Sequence, residues 1–122
     1  MSIPRQSSSV DQATRDILTE LSMGDSGALG EAANLREQLR VESHLDPKSF
    51  ALVKIASLVA MDAPPASYLF QVQLALDSGC TPQDILGVLT AIAPQTGIPK
   101  IVAAAPEIMI ALGLELPAEA SV

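Results

Sequence analysis

From residue 9 onward, apolar positions recur every three or four residues, the period of helices that bury one face. Val10, Ala13, Ile17 and Leu21 mark a first helix that starts after Ser8 or Ser9 and is closed by Met23-Gly24-Asp25. A second helix starts after Ser26, with Ala28, Ala32, Leu35 and Leu39 on one stripe and Glu31, Arg36, Glu37 and Arg40 off it. Both read as surface elements.

The pattern changes at Asp46-Pro47, where the Asp side chain can accept from first-turn amides and Pro fits the first helical position. The run that follows, FALVKIASLVAMD, is apolar nearly all round, which predicts a helix buried by neighbours on several sides. Pro64 and Pro65 open a fourth helix through Ser78, released by Gly79. Thr81-Pro82-Gln83-Asp84 resembles a capping box ahead of a fifth helix with Ile85, Val88, Leu89 and Ile92 as its buried stripe. Pro94 and Gly97 punctuate the next turn, and a last helix runs from about Pro99 to Leu112, kinked or split near Pro106. No segment alternates with period two and no hairpin signal occurs. The expectation is an all-α, compact bundle of about six helices. It forms one domain over residues 9–114, between a loose tail at 1–8 and a C-terminal tail at 115–122.

Composition adds an interface to this picture. Of the 122 residues 48% are hydrophobic, mostly Ala, Leu, Ile and Val, and the aromatics are Phe50, Phe70 and Tyr68 alone. That is more apolar surface than a chain of this size buries by itself, which predicts a homo-oligomer. The net charge of −7 and the pI near 4.4 argue against nucleic acid and anionic lipid as partners, since phosphate binding needs a basic stripe. Past Ile55 the only cation is Lys100. The longest apolar run, Ile101 to Leu114, is broken by Pro106 and Glu107 and is shorter than the roughly 20 residues of a membrane span. With a single cysteine and no leader-like start, the chain is expected to be cytoplasmic.

The order of signals from Leu45 resembles the carboxymuconolactone decarboxylase family, which includes the alkylhydroperoxidase D-like proteins. The resemblance spans residues 45–112 and rests on Leu45-Asp46-x-Lys48, Ala75-Leu76-x-x-Gly79-x-Thr81, Asp84-Ile85-x-x-Val88-Leu89 and Gly97-x-Pro99. It implies an alkylhydroperoxidase D-like helical subunit, a homotrimer or homohexamer, and a small pocket between helices at a subunit contact. In the alkylhydroperoxidase branch it implies a pair of cysteines separated by two residues, a histidine shortly after, and an upstream glutamate. One thiolate attacks the peroxide and the other resolves the product as a disulfide. Here the corresponding stretch reads MDAPPASYLFQ, with neither Cys nor His, and the glutamate position falls near Ala51. In the decarboxylase branch the resemblance implies two histidines doing acid-base work. Their positions fall at Gln71 and near Ala103, so both parent catalytic sets are absent.

Four side chains are the leading candidates for what chemistry remains, with three more beside them. Tyr68 and Gln71 are three apart on one helix and share a face, with Ala75 a turn further, and Gln95 precedes Thr96-Gly97 in the turn that lines the family's pocket. A phenol and two amides can orient a small carbonyl or carboxyl ligand, or serve as satisfied structural groups. Cys80, at a helix N-terminus, reads as a one-cysteine peroxidatic thiol or as an ordinary loop cysteine, with Asp77 and Asp84 opposing a thiolate. His44 near Glu42 reads as a carboxylate-oriented base or a solvated loop residue, and Lys54 and Glu107 interrupt apolar helices as snorkelling, paired or buried charges.

No metal-ligand spacing, phosphate loop or cofactor motif is present. The leading expectation is a family protein with a small inter-helix pocket for a small, partly apolar metabolite. The alternatives are a lyase or isomerase using Tyr68, Gln71 and Gln95, a one-cysteine peroxidase using Cys80, and a non-catalytic oligomeric scaffold. If the chain is an enzyme, lyase chemistry is favoured over peroxiredoxin-like chemistry.

Overall fold

The protein's computed structural model describes residues 9–23 and 30–118, and these form six helices and no strand. They are α1 (Gln12–Ser22), α2 (Gly30–Ser43), α3 (Pro47–Ala60), α4 (Pro65–Asp77), α5 (Pro82–Thr96) and α6 (Ile98–Ala111). The all-α expectation holds. The expected tail at 1–8, the Gly24-Asp25 stop and the Ser26 start of the second helix lie outside the described residues.

Local chemistry sets most helix starts. Asp46 accepts from the Ser49 amide at 2.7 Å, with Pro47 following it in the first turn of α3. At α5 the capping box is complete, because the Asp84 amide donates to Thr81 Oγ1 at 3.0 Å and the Thr81 amide donates to Asp84 Oδ2 at 2.8 Å. The first helix starts later than Ser8 or Ser9, because Asp11 is its cap and accepts from the Thr14 amide.

Three helix ends share one geometry, in which the residue after the cap is left-handed and two amides fold back on the last turn. After α4, Gly79 has φ +93° and the Cys80 amide donates to the Ala75 carbonyl at 2.9 Å, which carries Cys80 into the core. Gly113 does the same after α6. After α3 the left-handed position is taken by Asp62, at φ +52°, with the Ala63 amide bonded to the Leu58 carbonyl at 3.0 Å. A residue with a Cβ holds that conformation at a cost of about 1 kcal/mol or more.

Two prolines act differently from expectation. Pro94 lies inside α5, which continues to Thr96 and is closed by the Gly97 amide on the Ala93 carbonyl at 2.9 Å. Pro106 lies inside α6, which runs unbroken. The bond it forfeits falls at Val102, an exposed position where water can serve the carbonyl.

The core is built on α3, which packs against α4, α5 and α6, while α6 also packs against α4 and α5. Ile55 and Val59 of α3, Val72 of α4 and Ile85 of α5 are fully enclosed, and Ala51, Tyr68, Ala75, Cys80, Leu89, Ala104 and Ile108 complete the cluster. Each large aliphatic side chain so enclosed contributes about 1.5–3 kcal/mol. Of the expected α5 stripe, Ile85 and Leu89 are buried and Val88 and Ile92 pack partly buried against the cluster.

The first two helices are peripheral, and α1 buries no residue. The orientation of α2 differs from its pattern: Leu35 and Leu39 are 52% and 44% exposed, whereas Arg36 and Arg40 are half-buried. Arg40 pairs with Glu37 at 2.8 Å and donates to the Leu45 carbonyl at 3.2 Å, tying the end of α2 to the start of α3. Polar anchoring thus turns the apolar stripe of α2 outward.

Candidate functional site

Arg36 of α2 meets Gln71 of α4. The guanidinium donates from Nη2 to Gln71 Oε1 at 3.2 Å, and its carbon lies 5.0 Å from the centroid of the Phe50 ring on α3. Lys54, one turn beyond Phe50, places its ammonium 4.9 Å from the same centroid. Two cations therefore share one aromatic ring, an attraction worth about 0.5–2 kcal/mol each. Among the described residues neither cation has a carboxylate within salt-bridge distance. The Nε atom of Arg36 is buried and, among the described residues, has no hydrogen-bond acceptor. Burial lowers the guanidinium pKa, with Glu37 opposing the shift, but the group stays charged at any physiological pH.

Tyr68, on the same helix as Gln71, serves another place. It lines a cleft of about 180 Å³ between the start of α4 and α6, together with Asp62, Lys100, Ala103 and Glu107. Lys100 Nζ donates to Asp62 Oδ2 at 2.6 Å. Tyr68 is 3% exposed, and among the described residues its hydroxyl has no hydrogen-bond partner. Burial raises its pKa, and the Asp62 and Glu107 carboxylates raise it further, so the phenol keeps its proton.

Among the described residues, none of the clefts between helices is lined by Tyr68, Gln71 and Gln95 together. Tyr68 faces the α4–α6 cleft, Gln71 faces Arg36, and Gln95 is exposed on the last turn of α5. A spacing of three left Tyr68 on the buried stripe with Val72 and Ala75, while Gln71 falls at its half-buried edge toward α2.

Cys80 is buried, and its Sγ donates to the Lys48 carbonyl at 3.7 Å. Burial raises the thiol pKa, as do Asp84 and Asp46, and Lys48 only partly offsets them. The amide that would favour a thiolate at the α5 N-terminus is already bonded to Asp84. The side chain is thus held as a neutral thiol.

His44 is exposed and left-handed at φ +62°, where it closes α2. Lys54 is half-buried over Phe50, and Glu107 is half-buried at the cleft. Sequence reasoning missed Arg36, Phe50, Asp62 and Lys100 as candidates. The one available signal was an arginine and a lysine near the few aromatics of an acidic chain.

The bundle and these two polar inclusions define, over the described residues, a small all-helical protein, and the sequence holds neither a cysteine pair nor a histidine pair. Residues 29–108 match the model of the carboxymuconolactone decarboxylase family, and the chain belongs to that family. The match starts upstream of the residues 45–112 expected from sequence, and so takes in α2 with Arg36. Searches of curated proteins and of solved structures give no match. No helix among the described residues is long and apolar enough to cross a membrane.

Proposed function

We propose that this carboxymuconolactone decarboxylase-like protein binds a small, partly apolar carboxylic acid beside Phe50. Arg36 and Lys54 would hold the carboxylate, and Gln71 would orient the neighbouring carbonyl or hydroxyl. The observation that carries this reading is Arg36 itself: a guanidinium with a buried, unpartnered Nε and, among the described residues, no carboxylate within salt-bridge distance, in a chain of net charge −7. A buried donor left unmade costs about 1–3 kcal/mol, so an acceptor arriving there recovers that loss. Arginine matches a carboxylate through two parallel bonds, and the Phe50 ring offers an apolar surface for the remainder of the ligand.

Gln71 carries no titratable proton near neutrality, so the reading is recognition rather than the proton transfer of the parent decarboxylase. The separation of Tyr68, Gln71 and Gln95 speaks against the lyase or isomerase alternative built on that trio. The neutral, buried Cys80 speaks against the one-cysteine peroxidase.

A homo-oligomer, a trimer or hexamer, belongs to the same proposal. Its support is the apolar surface left open on the subunit: Leu35 and Leu39 on α2, Leu86 on α5, and Ile98 and Val102 on α6. Native mass spectrometry of the purified protein tests it, and a monomer would remove it.

The binding reading is tested by calorimetric titration with sodium benzoate, with benzamide as the uncharged control. The expected outcome is saturable benzoate binding that weakens at least about tenfold in Arg36→Gln, the loss of one charge-assisted hydrogen bond. Equal binding of benzamide, or an Arg36→Gln protein that binds benzoate as well as the parent, would overturn it.

A further inference from the structure

The cleft between α4 and α6 plays no part in the carboxylate reading, yet it has the features of a second site. Its floor is Tyr68, a residue only 3% exposed whose hydroxyl keeps solvent contact at the cleft and, among the described residues, has no protein partner. With the ring buried and only the oxygen reaching the cleft, the hydrogen bonds this phenol makes are made there. A phenol oxygen that opens on the cleft and has no protein partner among the described residues is available to a molecule that enters it.

The walls say what kind of partner. Asp62 and Lys100 neutralise each other at 2.6 Å. Glu107, half-buried on α6, has no ion pair or hydrogen bond among the described residues. The cleft thus carries one uncompensated negative charge, and the same carboxylate acts electrostatically on the Tyr68 phenol. The remaining surface is small and uncharged, including Ala63, Ala103 and Ala104. A half-buried carboxylate facing a phenol oxygen and a second carboxylate presents acceptors on several sides and a single spare negative charge. A primary ammonium, with three donors and one positive charge, complements that arrangement. A carboxylate ligand would have to displace Asp62 from Lys100 and face Glu107.

Backbone geometry supports a built arrangement. Asp62 occupies a left-handed position that glycine usually takes at a helix end, with its side chain held on Lys100. Glycine there would relieve the backbone but would leave Lys100 without its acid, and Lys100 would then compete for Glu107 or repel a cation. A costly residue at the mouth of a cavity fits a functional constraint.

From these observations we infer that the α4–α6 cleft is a binding site for a small primary amine in its ammonium form. Glu107 supplies the counter-charge, Tyr68 and Asp62 accept the remaining N–H groups, and the alanine-lined wall takes a short alkyl chain.

The sequence makes the test direct. Tyr68 is the only tyrosine and there is no tryptophan, so the protein's tyrosine emission reports this cleft alone. The full-length protein is titrated with n-propylammonium chloride at constant ionic strength, with sodium chloride and sodium propionate as controls, and Tyr68 emission and amide chemical shifts are recorded together. The expected result is a saturable response to n-propylammonium below about 20 mM. It should be absent with either control and centred on the α4 start and α6. Glu107→Gln should weaken it at least about tenfold, and Tyr68→Phe, followed by amide shifts, should weaken it by a smaller factor. A response to propionate instead, no saturation with n-propylammonium, or an unchanged affinity in Glu107→Gln would overturn the inference. The benzoate titration at Phe50 is independent of each of these outcomes.

Discussion

Lys100 Nζ lies 2.6 Å from Asp62 Oδ2, so the first turn of α6 is tied to a left-handed residue at the end of α3. The pair joins positions 38 residues apart and both members are partly solvated, with side-chain exposures of 34% and 62%. Such a pair adds up to about 1 kcal/mol, less in salt.

Asp62 is consequently a residue where strain and attraction nearly offset each other. Asp62→Gly removes the ion pair and the left-handed strain together, so its stability should stay within about 1 kcal/mol of the parent. Asp62→Ala removes the pair and keeps the strain, and should be less stable than Asp62→Gly by about 1 kcal/mol. Urea unfolding of the three proteins measures both differences, and Ala more stable than Gly would show that the backbone is unstrained.

Ile85 is wholly enclosed between helices. Ile85→Val should cost about 0.5–1.5 kcal/mol and Ile85→Ala about 2–5 kcal/mol, the second leaving a cavity as well as losing apolar burial. Chemical denaturation gives the values, and Val53→Ala, on an exposed site of α3, should stay within about 0.5 kcal/mol.

Helix caps should give the protein a distinct acid response. Asp46 has a folded-state pKa below the ordinary aspartate value, first because of the Ser49 amide bond, and Asp84 likewise because of the Thr81 amide. With the folded pKa depressed, their contribution is full above the unfolded value of about 3.9 and is lost as pH falls through the folded one. Asp46→Asn and Asp84→Asn keep an acceptor and remove the titration. Thermal melts between pH 6 and pH 2 should therefore show a shallower decline for the variants than for the parent. Parallel declines would mean that these bonds are absent in solution. Thr81→Ala, which removes the other half of the capping box, should cost about 1 kcal/mol at neutral pH.

Cys80 should resist alkylation. With its thiol buried, bonded to the Lys48 carbonyl and raised in pKa, reaction with iodoacetamide at pH 7.5 requires local opening. Labelling should be slower than in the urea-unfolded chain by on the order of a hundredfold or more. Equal rates would place the thiol in solvent and reopen the peroxidatic reading.

Local signals carried most of the architecture. Asp46-Pro47, Pro64-Pro65, Thr81 to Asp84 and the glycines at 79 and 97 act within a few residues of themselves, so the sequence suffices to place the ends of α3 to α5 and the start of α6 near those positions. The same holds for the family pattern, which is mainly these caps and the stripes between them. Pro94, expected in a turn, lies inside α5, and Pro106 does not split α6, because a helix already held by packing can lose one bond without breaking. The candidate site was only partly legible. Tyr68 and Gln71 stand out in sequence, but periodicity cannot say which neighbour each one meets. Arg36, charged and off the apolar stripe of α2, gave no hint that it would turn inward onto Phe50. Asp62 is likewise unremarkable in a chain read locally, and Lys100, though the only cation past Ile55, carries no local sign of its partner. Which stripe of a peripheral helix faces the body depends on the long-range balance of an arginine's bonds against the burial of two leucines. That balance exists only once α2, α3 and α4 are side by side, so sequence determined the helices and the absent catalytic pairs, and tertiary packing decided where the unmet charges and the unmet phenol came to lie.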